Sequence, residues 1–154
     1  MLALVLYTMI AGGAGSNKAG LEAALKYFVI GSIASGIFLY AMSFLYGVTG
    51  SIDLVVPSGN VHISIATDMI VVLLLGGLLI KCAAVPFHMW LPDVYQGAAN
   101  HVALFVATVP KIAVVFALLK VIPNLQLAMG DKVGLVLLLV AVLSMLLGNI
   151  MALQ

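Results

Sequence analysis

Four apolar runs, at 21–46, 69–86, 101–122 and 133–153, leave this chain few ways to fold. Each is about 18–26 residues long, the length an α-helix needs to cross a hydrocarbon core of about 30 Å. A backbone amide in lipid finds no water, so each run has to satisfy its own N–H and C=O groups as a helix. The reading is all-α: a polytopic transmembrane helix bundle. Composition excludes the soluble alternative, because 65% of the residues are apolar and 7% charged, against roughly 25% charged in a soluble domain. So few charges cannot coat a water-facing surface. A net charge of +1 and the absence of any basic cluster exclude nucleic acid as a partner.

The segments between the runs read as connections. Residues 1–11 are apolar but make only about 16 Å of helix, too short to span. They lack the basic start and polar finish of a signal peptide, and read as the second half of a longer helix. Residues 12–20 are rich in Gly, Ser and Asn and predict a loop. Residues 47–68, with Pro57, Asp53 and Asp68, predict an extramembrane connection, and 123–132 a turn. Residues 87–100 are mixed, and Pro86 and Pro92 interrupt any helix there. The expected organisation over 1–154 is a partial span at 1–11 and full spans at 21–46, 69–86, 101–122 and 133–153. Both ends look cut, so the sequence reads as part of a longer chain. Lys18 and Lys26 mark one side of the membrane and Lys120 and Lys132 the other, a tie that leaves the absolute topology open.

Lys111 stands out among the charges. It lies about 15 Å from either end of the 101–122 run, and a lysine stem reaches only about 6 Å, so it cannot snorkel to the surface. At mid-span it costs at least about 2.5–3.5 kcal/mol and has to face protein or water. Pro110 beside it removes a backbone donor and frees the carbonyl of Val106. A proton-relay role fits, with an ion pair to another helix as the alternative. Lys81 is about 7.5 Å from Pro86 and could snorkel, but the AAVPF sequence after Cys82 offers no polar surface. Prolines at 86 and 92 predict a broken helix, and such breaks usually line a cavity. An amine held away from water gives up its proton more readily, so two such lysines bridged by water form a plausible proton path. No mid-membrane carboxylate accompanies them.

Other residues carry weaker signals. Glu22 and Lys26 have the spacing of an ordinary surface pair at a helix start. Asp53, Asp68, Lys120, Asp131 and Lys132 fall at span ends, where water solvates them. His88 and Trp90 flank the break, consistent with an interfacial belt or, for His88, a place in the proton path. Asp93 and Tyr95 lie where backbone groups freed by the break need partners. His62 and His101 read as loop and boundary residues, and Cys82 as a small core residue. Gly31, Ser32, Ala34, Ser35, Gly36 and Gly47 form a small-residue face suited to close helix packing. No metal-ligand spacing and no nucleotide-binding glycine pattern occurs.

The stretch KCAAVPFHMWLPDVYQGAA at 81–99, followed by VPKI at 109–112, resembles the antiporter-like subunits of proton-pumping NADH–quinone oxidoreductase (complex I) and the Mrp-type cation/proton antiporters. EAALKYFVIGSIASGIFLYAMSFLYGVTG at 22–50 and GNIMAL at 148–153 narrow the resemblance to the family of N subunits. It implies an inverted-repeat bundle, this chain holding most of the first five-helix repeat with its broken helix between Pro86 and Pro92. Lys81 matches the family's lysine on the broken helix, Lys111 its central relay lysine, and His88 a histidine of the motif. These three are the expected proton-transfer residues. The family's key glutamate falls just before Met1, and its usual Pro-x-Pro is replaced by Ala99, Asn100 and His101.

The implied function is coupling of NADH oxidation and quinone reduction to proton transfer, as a multi-pass subunit in the bacterial inner membrane. The expected partners are other membrane subunits of complex I, the lipid bilayer, protons and water. No cofactor is expected on this chain; NADH, flavin, iron–sulfur clusters and quinone belong to other parts of such a complex. A subunit of a Mrp-type antiporter is the alternative, and a non-conducting scaffold a third reading.

Overall fold

The structure, a computed structural model, describes residues 2–13, 18–51, 53–54 and 64–153. It consists of α1 (Leu2–Gly13), α2 (Lys18–Thr49), α3 (Ser64–Cys82), α4 (Trp90–Gly97), α5 (Asn100–Met129) and α6 (Asp131–Ala152). No strand occurs among the described residues. Four of these helices are long and apolar enough to cross a membrane. Their outward side chains suit lipid rather than water: Leu104 is 68% exposed, Phe116 64% and Met145 70%.

The helices differ from the expected runs in instructive ways. α2 has 32 residues, about 48 Å at 1.5 Å per residue, so it exceeds the hydrocarbon core and one end has to reach the interface or tilt. α5 runs through Pro123 to Met129, so the expected turn at 123–132 shrinks to Gly130. Gly130 has φ +64° and ψ −143°, backbone that favours glycine, and its N–H donates to the Gln126 carbonyl at 2.7 Å. Gly50, with φ +66°, ends α2 the same way through the Tyr46 carbonyl at 2.8 Å. Much of the expected 47–68 connection, including Pro57 and His62, lies outside the described residues, while Asp68 is already inside α3.

The break between α3 and α5 is the most irregular feature. α3 stops at Cys82, before the expected end at Pro86. Ala83 takes φ +57°, and its N–H donates to the Ile80 carbonyl while that of Ala84 donates to the Leu79 carbonyl, both at 3.0 Å. That pair of bonds is a Schellman ending, with alanine where glycine is usual. The Val85-Pro86 peptide bond is cis. A turn from His88 to Leu91, closed at 3.0 Å, then enters α4, a short helix within the mixed 87–100 segment. Val85 N–H, freed by the break, donates to the Ser144 hydroxyl of α6 at 3.1 Å.

Two buried clusters hold the bundle. One gathers Leu6, Ile10, Ala24, Tyr27, Trp90 and Val102 from α1, α2, α4 and α5. The other gathers Leu45, Ile70, Leu74, Leu125 and Val133 from α2, α3, α5 and α6. Between them α2 and α3 approach closely: a Cβ on Gly77 would stand 3.1 Å from the Ala34 carbonyl oxygen. The expected small-residue face is narrower than six positions. Ala34 is buried, but Ser32, Gly36 and Gly47 point outward.

Candidate functional site

Lys81 occupies the last turn of α3, where the break begins. Its Nζ lies 5.9 Å from the centre of the Phe38 ring on α2, within range of a cation–π contact. Beside it a cavity of about 170 Å³ is lined by Tyr27, Gly31, Ser35, Ile80 and Trp90. That space takes several waters. The Trp90 indole N–H is buried and has no hydrogen-bond partner among the described residues. A buried donor of this kind calls for an acceptor, and water in the adjoining cavity is the available chemistry.

Lys111 lies deep in α5, half-buried rather than facing lipid. Its Nζ is 5.7 Å from the centre of the Tyr95 ring on α4. The Tyr95 hydroxyl is buried without a hydrogen-bond partner among the described residues. The two lysines thus approach the break from opposite sides, Lys81 against Phe38 of α2 and Lys111 against Tyr95 of α4. Neither forms an ion pair with a carboxylate among the described residues.

His88 sits in the turn between Pro86 and α4. Its Nδ1 is buried and unpartnered among the described residues, and its ring borders a cavity of about 290 Å³ with Val85, Pro92, Ser144 and Gly148. The three expected residues therefore surround one break without touching one another in any hydrogen bond. Between them lie imidazole, phenol and indole groups that lack partners inside the chain. An imidazole and a phenol can each accept and donate, as a proton relay requires. Among the described residues no group of His, Cys, Asp and Glu could hold a metal ion.

Sequence reading missed three contacts here. Glu22 and Lys26 do pair at 2.7 Å, but Lys26 also reaches Asp93 on α4 at 2.6 Å. Asp93 therefore serves a side chain on another helix, where the sequence suggested freed backbone groups. Gly97 is packed so tightly that a Cβ would stand 2.5 Å from the Ala23 Cβ and 2.9 Å from the Ala19 carbonyl oxygen. Ser144 had no signal in sequence at all. The glycine closing PDVYQG and the alanines at 19, 23 and 24 were the one available hint of a close approach.

A family model described as NADH:quinone oxidoreductase/Mrp antiporter, TM, matches residues 1–154. The chain is 43% identical over 162 residues to the NADH-quinone oxidoreductase subunit N of Thioalkalivibrio sulfidiphilus (strain HL-EbGR7), covering 99% of this chain and 32% of that protein. It is 44% identical over 159 residues to the subunit N of Alkalilimnicola ehrlichii (strain ATCC BAA-1101 / DSM 17681 / MLHE-1), with the same coverage. It therefore spans about a third of the length of these relatives. Among solved structures it resembles a chain of respiratory complex I from Thermus thermophilus, with 44% identity and a TM-score of 0.66, covering 77% of this chain and 26% of that one. A chain of the archaeal membrane-bound sulfane sulfur reductase matches in fold, with a TM-score of 0.76, 23% identity, and coverage of 92% and 29%.

Proposed function

The chain belongs to the NADH:quinone oxidoreductase/Mrp antiporter transmembrane family, and from that premise we propose that it forms a proton-conducting part of subunit N of an NADH–quinone oxidoreductase. It is a multi-pass membrane protein of the bacterial inner membrane, as its apolar helices and bacterial relatives indicate. In this reading NADH is oxidised and quinone reduced on other subunits, which carry the flavin and iron–sulfur clusters. The chain's own part is to hold and move protons at Lys81 Nζ, Lys111 Nζ and His88.

The supporting observation is the placement of Lys111. An ammonium within a 30-residue apolar helix turns toward the break, against the Tyr95 ring, rather than toward lipid. A protonated lysine there is stabilised by the ring face. Released to water, the proton leaves a neutral amine that costs far less to hold in an apolar setting. Switching between these two states is what a relay needs. Lys81 and its cavity provide the same alternation on the α2 side, and His88 a third titratable group across the break.

The family also contains Mrp antiporters, which would use the same lysines without a redox partner. The two relatives named above are both oxidoreductase subunits, and that favours the first reading. The test is Lys111→Met in the full-length subunit assembled in its complex. Methionine keeps much of the length and removes the proton. NADH-driven acidification of inverted vesicles should fall by at least about tenfold, the scale of losing one proton-transfer group. Lys111→Arg, which cannot readily release its proton, should not restore it. Normal pumping by assembled Lys111→Met would make Lys111 a structural charge.

A further inference from the structure

α4 is only eight residues long, and three of its side positions meet α2. Trp90 packs edge-on against Tyr27, with ring centres 5.8 Å apart. Asp93 Oδ2 accepts from Lys26 Nζ at 2.6 Å. Gly97 lies against Ala23 and Ala19 without room for a Cβ. The partners run in reverse order along α2, so the two helices are antiparallel. At about 100° per residue, positions 90, 93 and 97 fall within about 60° of one another on α4. Tyr95 then points about 165° away from that stripe, toward α5, where Lys111 Nζ meets its ring.

The short helix is therefore a strip between α2 and α5, and its rotation about its own axis decides whether the Tyr95 ring faces Lys111. Apolar contacts resist rotation weakly in a bundle where lipid offers similar contacts. A directional, charge-assisted bond resists it better. Lys26 and Asp93 supply the directional contact in this stripe, and Glu22 at 2.7 Å holds Lys26 from the other side.

We infer that Lys26 and Asp93 form a latch between α2 and α4, and that this latch positions Tyr95 against Lys111. Lys26 and Asp93 are positioning residues that carry no proton themselves. The inference rests on the proton-transfer reading of Lys111. It adds an interhelical partner to the local surface pair of Lys26 with Glu22.

The experiment uses the full-length subunit in its complex and reads protons moved per NADH oxidised. It also follows amide exchange over Trp90–Gly97. Both latch residues are partly exposed, so each single variant, Lys26→Met or Asp93→Leu, should lower the proton quotient by about threefold, within the range for such a pair. Exchange over α4 should rise in both. The swap Lys26→Asp with Asp93→Lys should restore the quotient to near the parent value. Because the latch works through Tyr95, Lys26→Met should add no further loss to a Tyr95→Leu background. A swap as poor as the single variants, additive losses with Tyr95→Leu, or unchanged exchange over α4 would each overturn the latch. Lys111→Met separates the two ideas. If it abolishes pumping while Lys26→Met pumps fully, the latch alone fails; if it pumps normally, the proton-transfer reading fails.

Discussion

The two ends of the bundle are built from different material. Around the Thr49 end of α2, the core is aliphatic: Leu45, Ile70, Leu74, Leu125 and Val133 interlock. Around the Lys18 end, the core mixes small and aromatic residues, Ala23, Ala24, Tyr27 and Trp90, with the strained Ala83. Among the described residues, the buried and unpartnered polar atoms, on His88, Trp90 and Tyr95, all lie along the break at this second end. Buried polar groups in a membrane are costly and persist where something uses them. The contrast separates an aliphatic end that holds the helices together from an irregular end where the unpartnered polar groups, Lys81 and Lys111 gather.

That division can be broken by substitutions at each end. Leu74, fully buried in the aliphatic cluster, should be the most sensitive for stability. Leu74→Ala should lower the unfolding free energy of the detergent-solubilised subunit by about 2–3 kcal/mol, chiefly through the cavity it leaves. Protons moved per NADH in the fraction that assembles should stay unchanged. A matching loss of proton quotient would mean that the two ends act as one unit.

Ser144 should come next, because it ties α6 to the break. Ser144→Ala leaves the Val85 N–H without its acceptor, a loss of about 1–2 kcal/mol if water does not replace it. Amide exchange over residues 83–89 should rise, while exchange in the aliphatic half of α3 stays at the parent rate. Ser144→Thr keeps the hydroxyl and should behave as the parent. Exchange that rises equally throughout α3 would show that Ser144 supports the whole bundle rather than the break.

The smallest effect should come from relaxing Ala83. Its left-handed conformation costs about 1–2 kcal/mol, and glycine removes that cost while adding backbone freedom to the unfolded chain. Ala83→Gly should therefore stabilise the subunit by only about 0.5 kcal/mol in a denaturation series. A loss of stability would show that the alanine methyl, 9% exposed within its cluster, packs well enough to offset its strain.

The sequence by itself determined the class, the number of long helices and the place of Lys111 deep within one of them. Charges are so rare that each one is a signal, and lipid permits an apolar run to be only a helix when its backbone is exposed. Lys111 could be placed deep in a span because helix rise and side-chain reach are fixed lengths. Element ends were less legible. Pro123 looked like a terminus, yet α5 continues through it, and Pro86 looked like the end of a span that stops at Cys82. A proline marks where a helix bond is missing, but neighbours decide whether the helix bends, ends or carries on.

Only the tertiary structure decided what the break touches. Lys26 meets Asp93 across 67 positions and Ser144 meets Val85 across 59. Contacts over such separations leave no periodicity in the chain, because they depend on which faces of distant helices are turned together. The same is true of Tyr95, whose ring reaches Lys111 because a stripe on the opposite side of α4 is held by α2. Local chemistry chose the helices; their rotation against one another chose the partners.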